Sequence, residues 1–170
     1  MRGSGQEAVC FKNSRRTRKT GAGYGGAGGN YAWLDGKSYG RTNAPEYAGS
    51  GGGYNPVNAT RGGHGGGAVR IDASGTVTLN GLITANGESL AGDNRGAGSG
   101  GSVWINCRTL TGAETIPNTC MIRVNGGATT TGTSGSGGGG RIAIMYDPTA
   151  QSAMPIPPLW LSAVGGSYSY

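Results

Sequence analysis

The sequence is poor in the residues that build helices and charged surfaces. Charged residues make up 13% of the 170 positions, about half of the usual quarter, and phenylalanine occurs once. Leu, Glu, Lys and Met are scarce, and glycine interrupts nearly every window in which a helix would need them. A conventional helical core is therefore excluded, and an ordered core has to come from short β-strands.

Long apolar runs and metal-ligand clusters are also missing. No stretch reaches the roughly 18 to 20 apolar residues that cross a membrane, so no membrane span is expected. The basic segment Lys12–Thr20 has no apolar region before it and does not resemble a signal peptide, so residues 1–20 are expected to form a flexible leader without a specific nucleic-acid partner. No C-x-x-C occurs and His64 is the only histidine, which leaves a zinc site without ligands, and we expect no cofactor.

Catalytic constellations are not visible in the sequence. The eight acidic residues are spread singly along the chain, so no paired-carboxylate site is indicated. The G-x-G-x-x-G pattern of Gly21, Gly23 and Gly26 lacks the preceding strand and following helix of a dinucleotide site. We therefore predict that the chain is not an enzyme.

Glycine is the residue that is abundant, and it alternates with short apolar segments. Glycine occupies 38 positions, about three times its usual share. In the segments between the glycine tracts every second residue is apolar, as in Val69 and Ile71 or Val103 and Ile105. Alternation with a period of two places these side chains on one face of a strand.

Three pairs of segments match each other in the sequence, one pair at an offset of 34 and two at an offset of 39. Residues 68–71 match 102–105 at an offset of 34, and residues 82–87 match 121–126 at an offset of 39. Gly139 begins a third match, to Gly100, again at an offset of 39. Because glycine before a strand allows close approach of the backbone, a bulky residue at Gly139 is expected to destabilise the fold. Because one unit cannot bury its apolar face alone, we predict an all-β, glycine-rich β-solenoid with parallel rungs over residues 21–146. An antiparallel sandwich with Asn-Gly hairpin turns is the alternative.

The glycine-rich first half shows no alternation. It is either a flexible linker or a set of extended, polyglycine-II-like segments that pack closely because only glycine fits a crowded axis. Its aromatic side chains would be costly to expose together, which favours an ordered cap on the solenoid. These aromatic residues are Tyr24, Tyr31, Trp33, Tyr39, Tyr47 and Tyr54.

Several side chains are candidate contact or modification sites. Trp104 points outward if Val103 and Ile105 point inward, and beside Arg70 and Arg123 it is a candidate contact for a sugar ring or a partner, unless a glycine tract covers it. Cys107 and Cys120 bracket an insertion and are a candidate disulfide, and Asn58 begins a glycosylation sequon.

The last segment, residues 147–170, carries three prolines in "PIPP" (residues 155–158), followed by an apolar Leu-Trp-Leu. Proline stiffens such a segment, and the apolar patch then needs a partner. We predict that this tail caps its own solenoid or docks onto the next subunit, with Trp160 and Tyr168 as contacts.

The segments "YGRTNAPEYAGSGGG", "GGHGGGAVRIDASGTVTLNGLITANGES", "GSGGSVWINCRTLTG" and "GGGGRIAIMY" occur in this order. Together they resemble glycine-rich β-solenoid segments of very large surface or secreted proteins from bacteria and some eukaryotes. The resemblance covers about residues 21–146 and implies an extracellular, non-enzymatic structural module that self-assembles into a filament or surface layer. A second resemblance, in composition alone, is to phage tail-tip adhesins with packed polyglycine helices, and it implies a receptor- or glycan-binding adhesin as the alternative.

Overall fold

The structure is a computed structural model that describes residues 19–29, 36–55, 57, 59–92, 94–112, 121–131 and 133–167. Of the predicted site residues, Asn58, Cys120 and Tyr168 lie outside the described residues, as does most of the basic leader. The described part contains eight strands and one short helix, and no helix in it is long and apolar enough to cross a membrane. These elements are β1 (Ala68–Asp72), β2 (Thr76–Leu79), β3 (Leu82–Thr84), β4 (Ser102–Asn106), β5 (Thr109–Gly112), β6 (Met121–Arg123), β7 (Arg141–Met145), α1 (Pro148–Gln151) and β8 (Trp160–Ser162).

The strands form three parallel sheets, so the all-β class is confirmed. Sheet 1 has the order β1-β4-β7, sheet 2 the order β2-β5, and sheet 3 the order β3-β6-β8. Every pair of neighbouring strands in these sheets is parallel. The antiparallel sandwich with Asn-Gly hairpins is therefore wrong for this part of the chain.

The three matched pairs of segments lie side by side as neighbouring strands. Val69 pairs with Val103, and Val103 pairs in turn with Ile142, at the offsets of 34 and 39 found in the sequence. Ile83 pairs with Ile122 in the same way, and Ile122 pairs with Leu161 of β8. The tail that we placed outside the matched segments therefore supplies the third strand of sheet 3.

The hydrophobic core lies between the three sheets. Val103 and Ile105 enter it from sheet 1, Leu110 from sheet 2, and Ile122 from sheet 3, and all four are at most 1% exposed. They are buried because the strands that carry them are each flanked by further chain on both sides, whereas Val69 and Ile142 on the outer strands are only partly buried. Full burial of each such side chain contributes about 1.5 to 3 kcal/mol.

The glycine tracts are held together by their main chains. In the tract 96–101, the N–H groups of the first three residues donate to three different segments, which are residues 50–53, 135–138 and 85–88. The N–H groups of the next three residues donate to the same three segments in the same order, so each neighbour is met again after three residues. Carbonyl groups of the same tract accept from three other segments, at Gly63, Ala22 and Gly127. Three residues per turn without internal hydrogen bonds is the geometry of a polyproline-II helix. The tract 96–101 thus has six hydrogen-bonded neighbours around it.

Glycine is required in this bundle because the neighbouring main chains approach too closely for a side chain. A Cβ atom at Gly98 would overlap the carbonyl oxygen of His64, and one at Gly139 would overlap the carbonyl oxygen of Ala163. The first-half segments 21–29, 49–53 and 62–66 belong to the same bundle, with Tyr24 fully buried among them. The linker alternative is therefore wrong for these segments, and glycine tracts of the second half take part as well.

Candidate binding surfaces

The outer face of sheet 1 brings two of the predicted contact residues together. Arg70 and Trp104 are partners in the register of β1 and β4, so their side chains lie next to each other on the same face. The guanidinium carbon of Arg70 lies 4.1 Å from the centroid of the Trp104 ring, which is a cation–π contact. Trp104 is only 9% exposed, however, so the expectation that it projects into solvent needs correction.

Trp104 is buried because the segment 39–49 lies along this face. The hydroxyl of Ser102 donates to the carbonyl oxygen of Tyr47 at 2.9 Å, and the guanidinium of Arg141 donates to the carbonyl oxygen of Tyr39 at 3.0 Å. Tyr24 packs against this segment, with the centroid of its ring 4.9 Å from that of Tyr39. Burial raises the pKa of Tyr24 above its ordinary value, although nearby Ser102, Tyr47 and Arg141 oppose the shift. This face is therefore internal packing.

Arg70 also organises a small surface network of charges. Its Nε donates to Asp72 at 2.6 Å, and its Nη1 lies 3.6 Å from a carboxylate oxygen of Glu46. Hydrogen bonds from Arg70 and then from Asn106 hold the pKa of Asp72 below its ordinary value, so that carboxyl stays ionised. The Arg70 guanidinium contacts both carboxylates and so links the segment around Glu46 to sheet 1.

Arg123 lies on a different face from Trp104. It belongs to β6 of sheet 3, where its register partners are Thr84 and Ser162. The prediction that Arg123 flanks Trp104 is wrong, because the chain turns between β4 and β6 and the two strands belong to different sheets.

The outer face of sheet 3 instead carries both Arg123 and Trp160, on neighbouring strands. Leu82, Met121 and Trp160 stack as a column across the three strands of this sheet. Leu82 and Trp160 are 54% and 52% exposed, while Ile83 and Ile122 point into the core. The column lies beside Arg123, two residues along β6 from Met121. Sheet 3 therefore carries an exposed apolar column next to a cation, and we call it the Trp160 column.

The last strands of sheets 1 and 3 form a second exposed surface. Ile142 and Ile144 on β7 and Leu161 on β8 continue the core positions of the inner strands, but no further strand covers them in the described chain. Leu161 is 48% exposed, whereas its partner Ile122 is fully buried. The connection between α1 and β8 also exposes Ile156. We call the free edges of β7 and β8, together with Ile142, Ile144 and Leu161, the end face.

The Asn-Gly pairs at residues 86–87 and 125–126 are linked to each other and to the tail at a corner of the fold. The side-chain oxygen of Asn86 accepts from the N–H of Asn125 at 2.8 Å. The side-chain oxygen of Asn125 accepts from the N–H of Val164 at 3.1 Å and from the hydroxyl of Ser162 at 2.7 Å. Sequence reasoning assigned these residues only to possible hairpin turns. The offset of 39 that separates Asn86 from Asn125 is the signal that points to this ladder.

Cys107 is a free thiol in the structure, and Cys120, its predicted disulfide partner, lies outside the described residues. The side chain of Cys107 points into the core, where its sulfur lies 3.7 Å from the carbonyl oxygen of Met145. Burial raises the pKa of this thiol, so the neutral form is favoured. Cys107 therefore contributes to the core as a small apolar side chain.

Comparisons with known protein families, with curated proteins and with solved structures find no match to this chain.

Proposed function

We propose that this chain is a non-enzymatic structural module of the cell surface or extracellular space, which self-associates through its end face into a filament or surface layer. The proposal includes the fold: a glycine-rich β-solenoid whose rungs are the matched segments and whose corners are bundled, polyglycine-II-like tracts. The parallel registers at offsets of 34 and 39 support the rungs, and the three-residue period of the glycine hydrogen bonds supports the bundle.

The observation that carries the proposal is the open end of the core. Each column of core side chains, such as Ile83, Ile122 and Leu161, is apolar at both of its ends and fully buried only in its middle. The first strand of a second copy would therefore meet β7 or β8 with matching apolar residues. Uncovered parallel strand edges add unpaired N–H and C=O groups, which favour pairing with another chain.

Association should be measured on the purified chain by sedimentation velocity over a range of concentrations, with electron microscopy of the same samples. We expect particles larger than a monomer whose share rises with concentration. Leu161→Lys places a charge on the end face and should weaken association at least about tenfold, since burying a leucine contributes about 1.5 to 3 kcal/mol. Val57→Lys, at a position that is 89% exposed and outside the end face, is the control. A strictly monomeric wild type, or association unchanged by Leu161→Lys, would contradict the proposal.

The Trp160 column favours a second candidate, a glycan-binding adhesin. An exposed tryptophan offers a flat apolar surface to the C–H groups of a sugar, and Arg123 could donate hydrogen bonds to its hydroxyls. This function predicts glycan binding by a monodisperse protein that is lost in Trp160→Ala and in Arg123→Ala. Val57→Lys should bind normally. Absence of binding on a broad glycan array would rule this candidate out in favour of self-association.

A further inference from the structure

Sheet 2 differs from the other two sheets because it has no third strand in the described chain. Sheets 1 and 3 each continue into the last rung with β7 and β8, while sheet 2 ends at β5. The segment that connects β7 to β8 contains α1 (Pro148–Gln151), and α1 packs against β5. A helix therefore takes the place where the third strand of sheet 2 would lie.

Gln151 at the end of α1 satisfies the free edge of β5. Its side-chain oxygen accepts from the N–H of Leu110 at 2.8 Å, and its side-chain nitrogen donates to the carbonyl oxygen of Leu110 at 3.1 Å. These are the two hydrogen bonds that a neighbouring strand would make with Leu110. Gln151 is only 3% exposed, and its side-chain nitrogen also donates to the carbonyl oxygen of Met154 at 3.3 Å, so its amide is fully bonded between this edge and the residues after α1.

The helix itself offers no new strand edge. Asp147 caps it, because its carboxylate accepts from the N–H groups of Thr149 and Ala150 at 2.9 and 3.2 Å. The N–H of Gln151 donates to the carbonyl oxygen of Asp147 at 2.9 Å. The backbone donors of α1 are thus paired within the helix and its cap, and none of these is left for a strand of another molecule.

The asparagine ladder also stops at this level of the fold. Asn86 and Asn125 each accept a hydrogen bond from the following rung, but the third position is Val164, whose side chain has no acceptor. Val164 is 60% exposed. Two of the columns that link one rung to the next therefore end in the same rung, at α1 and at Val164.

We propose that α1, latched by Gln151, is an edge cap on sheet 2 that limits association with a second copy to sheets 1 and 3. This inference rests on the proposed end-to-end association. Covering an edge with a helix is one of the ways in which proteins restrain strand addition. Releasing α1 exposes Leu110 and lets the first rung of a second copy pair with all three sheets, which strengthens association and lengthens the particles.

The test compares the wild type with Gln151→Ala, which removes both hydrogen bonds to Leu110. Hydrogen exchange at the Leu110 amide measures the latch, and we expect it to accelerate at least tenfold. Sedimentation and electron microscopy measure association, and we expect it to tighten at least tenfold with longer particles. Ser152→Ala is the matched control on the same turn, because the Ser152 hydroxyl bonds only the exposed carbonyl of Thr149.

The latch and the cap are tested by different outcomes. Faster Leu110 exchange without tighter association overturns the cap, and unchanged Leu110 exchange overturns the latch. If Gln151→Ala does not fold, Asp147→Ala loosens α1 without touching Leu110, and unaltered association in that variant overturns the cap. Adding Leu161→Lys separates the two proposals. If Leu161→Lys leaves association unchanged, association through the end face is contradicted. If Leu161→Lys weakens association but Gln151→Ala leaves it unchanged, only the cap is contradicted.

Discussion

Replacing Gly98 by alanine tests whether main-chain packing holds the glycine bundle together. The added Cβ would overlap the carbonyl oxygen of His64 and lie 2.9 Å from the nitrogen of Gly65. The segments have to separate, which strains the hydrogen bonds from Gly98 to Glu88 at 3.2 Å and from Gly127 to Gly98 at 2.8 Å.

The expected cost can be estimated from these contacts. Two weakened hydrogen bonds cost about 1 kcal/mol each, and overpacking a close-packed site adds about 1 to 3 kcal/mol. The sum of about 3 to 5 kcal/mol is a large part of the roughly 5 to 15 kcal/mol that stabilises a domain. For a chain of this size it corresponds to a decrease in Tm of about 6 to 20 °C.

Thermal unfolding followed by circular dichroism measures the effect, and Gly75→Ala is the matched control. A Cβ at Gly75 has nothing within 4 Å, so this change should leave Tm within a few degrees of the wild type or raise it by restricting the unfolded chain. If Gly98→Ala and Gly75→Ala melt at the same temperature, the close approach of the main chains at Gly98 is refuted.

Three further predictions concern other parts of the fold. Gly139→Val should lower Tm at least as much as Gly98→Ala, because the valine side chain would overlap the main chain at Ala163. An unchanged Tm would instead support the interpretation of this tract as a flexible linker. Asn125→Ala should cost about 1 to 2 kcal/mol in urea unfolding, since two donors lose their acceptor; a cost near zero would show that water replaces it. Hydrogen bonds from Arg61 and then from the N–H of His64 lower the pKa of Glu88 from its ordinary value of 4.5, so its stabilisation is present above that pH and is lost as the pH falls through the folded pKa. The wild type should therefore lose more Tm than Glu88→Gln on acidification below about pH 4.5, and parallel losses would argue against this role.

The strands of sheets 1 and 3 could be predicted because their signal is local. Period-two alternation identifies Val103 and Ile105 as inward-facing, and the sequence matches at offsets of 34 and 39 identify the segments that pair with them on either side. The pairing of β2 with β5 was missed because Thr76 aligns with Thr109 at an offset of 33, which none of the three matches uses. Connections of unequal length between the paired strands hide such a pairing from a search with one period.

Other features depend on contacts between distant residues and had no local signal. Alternation shows that Trp104 lies on an outer face, but not that the segment around Tyr47 lies along that face. The bond between Gln151 and Leu110 joins residues 41 apart, one on a helix and one on a strand. The strand around Trp160 could have been found, since it continues the offset of 39 from Met121, but Val164 stands where the first two copies have asparagine.

The tract 96–101, with its six hydrogen-bonded neighbours, differs from an ordinary core, where large buried side chains are the hardest to replace. Its neighbours are joined mainly through main-chain groups that every residue possesses, to which the Ser99 hydroxyl adds a bond from the N–H of Ser50, so the glycines of the tract matter because they have no side chain. The positions with no side chain are consequently the least replaceable.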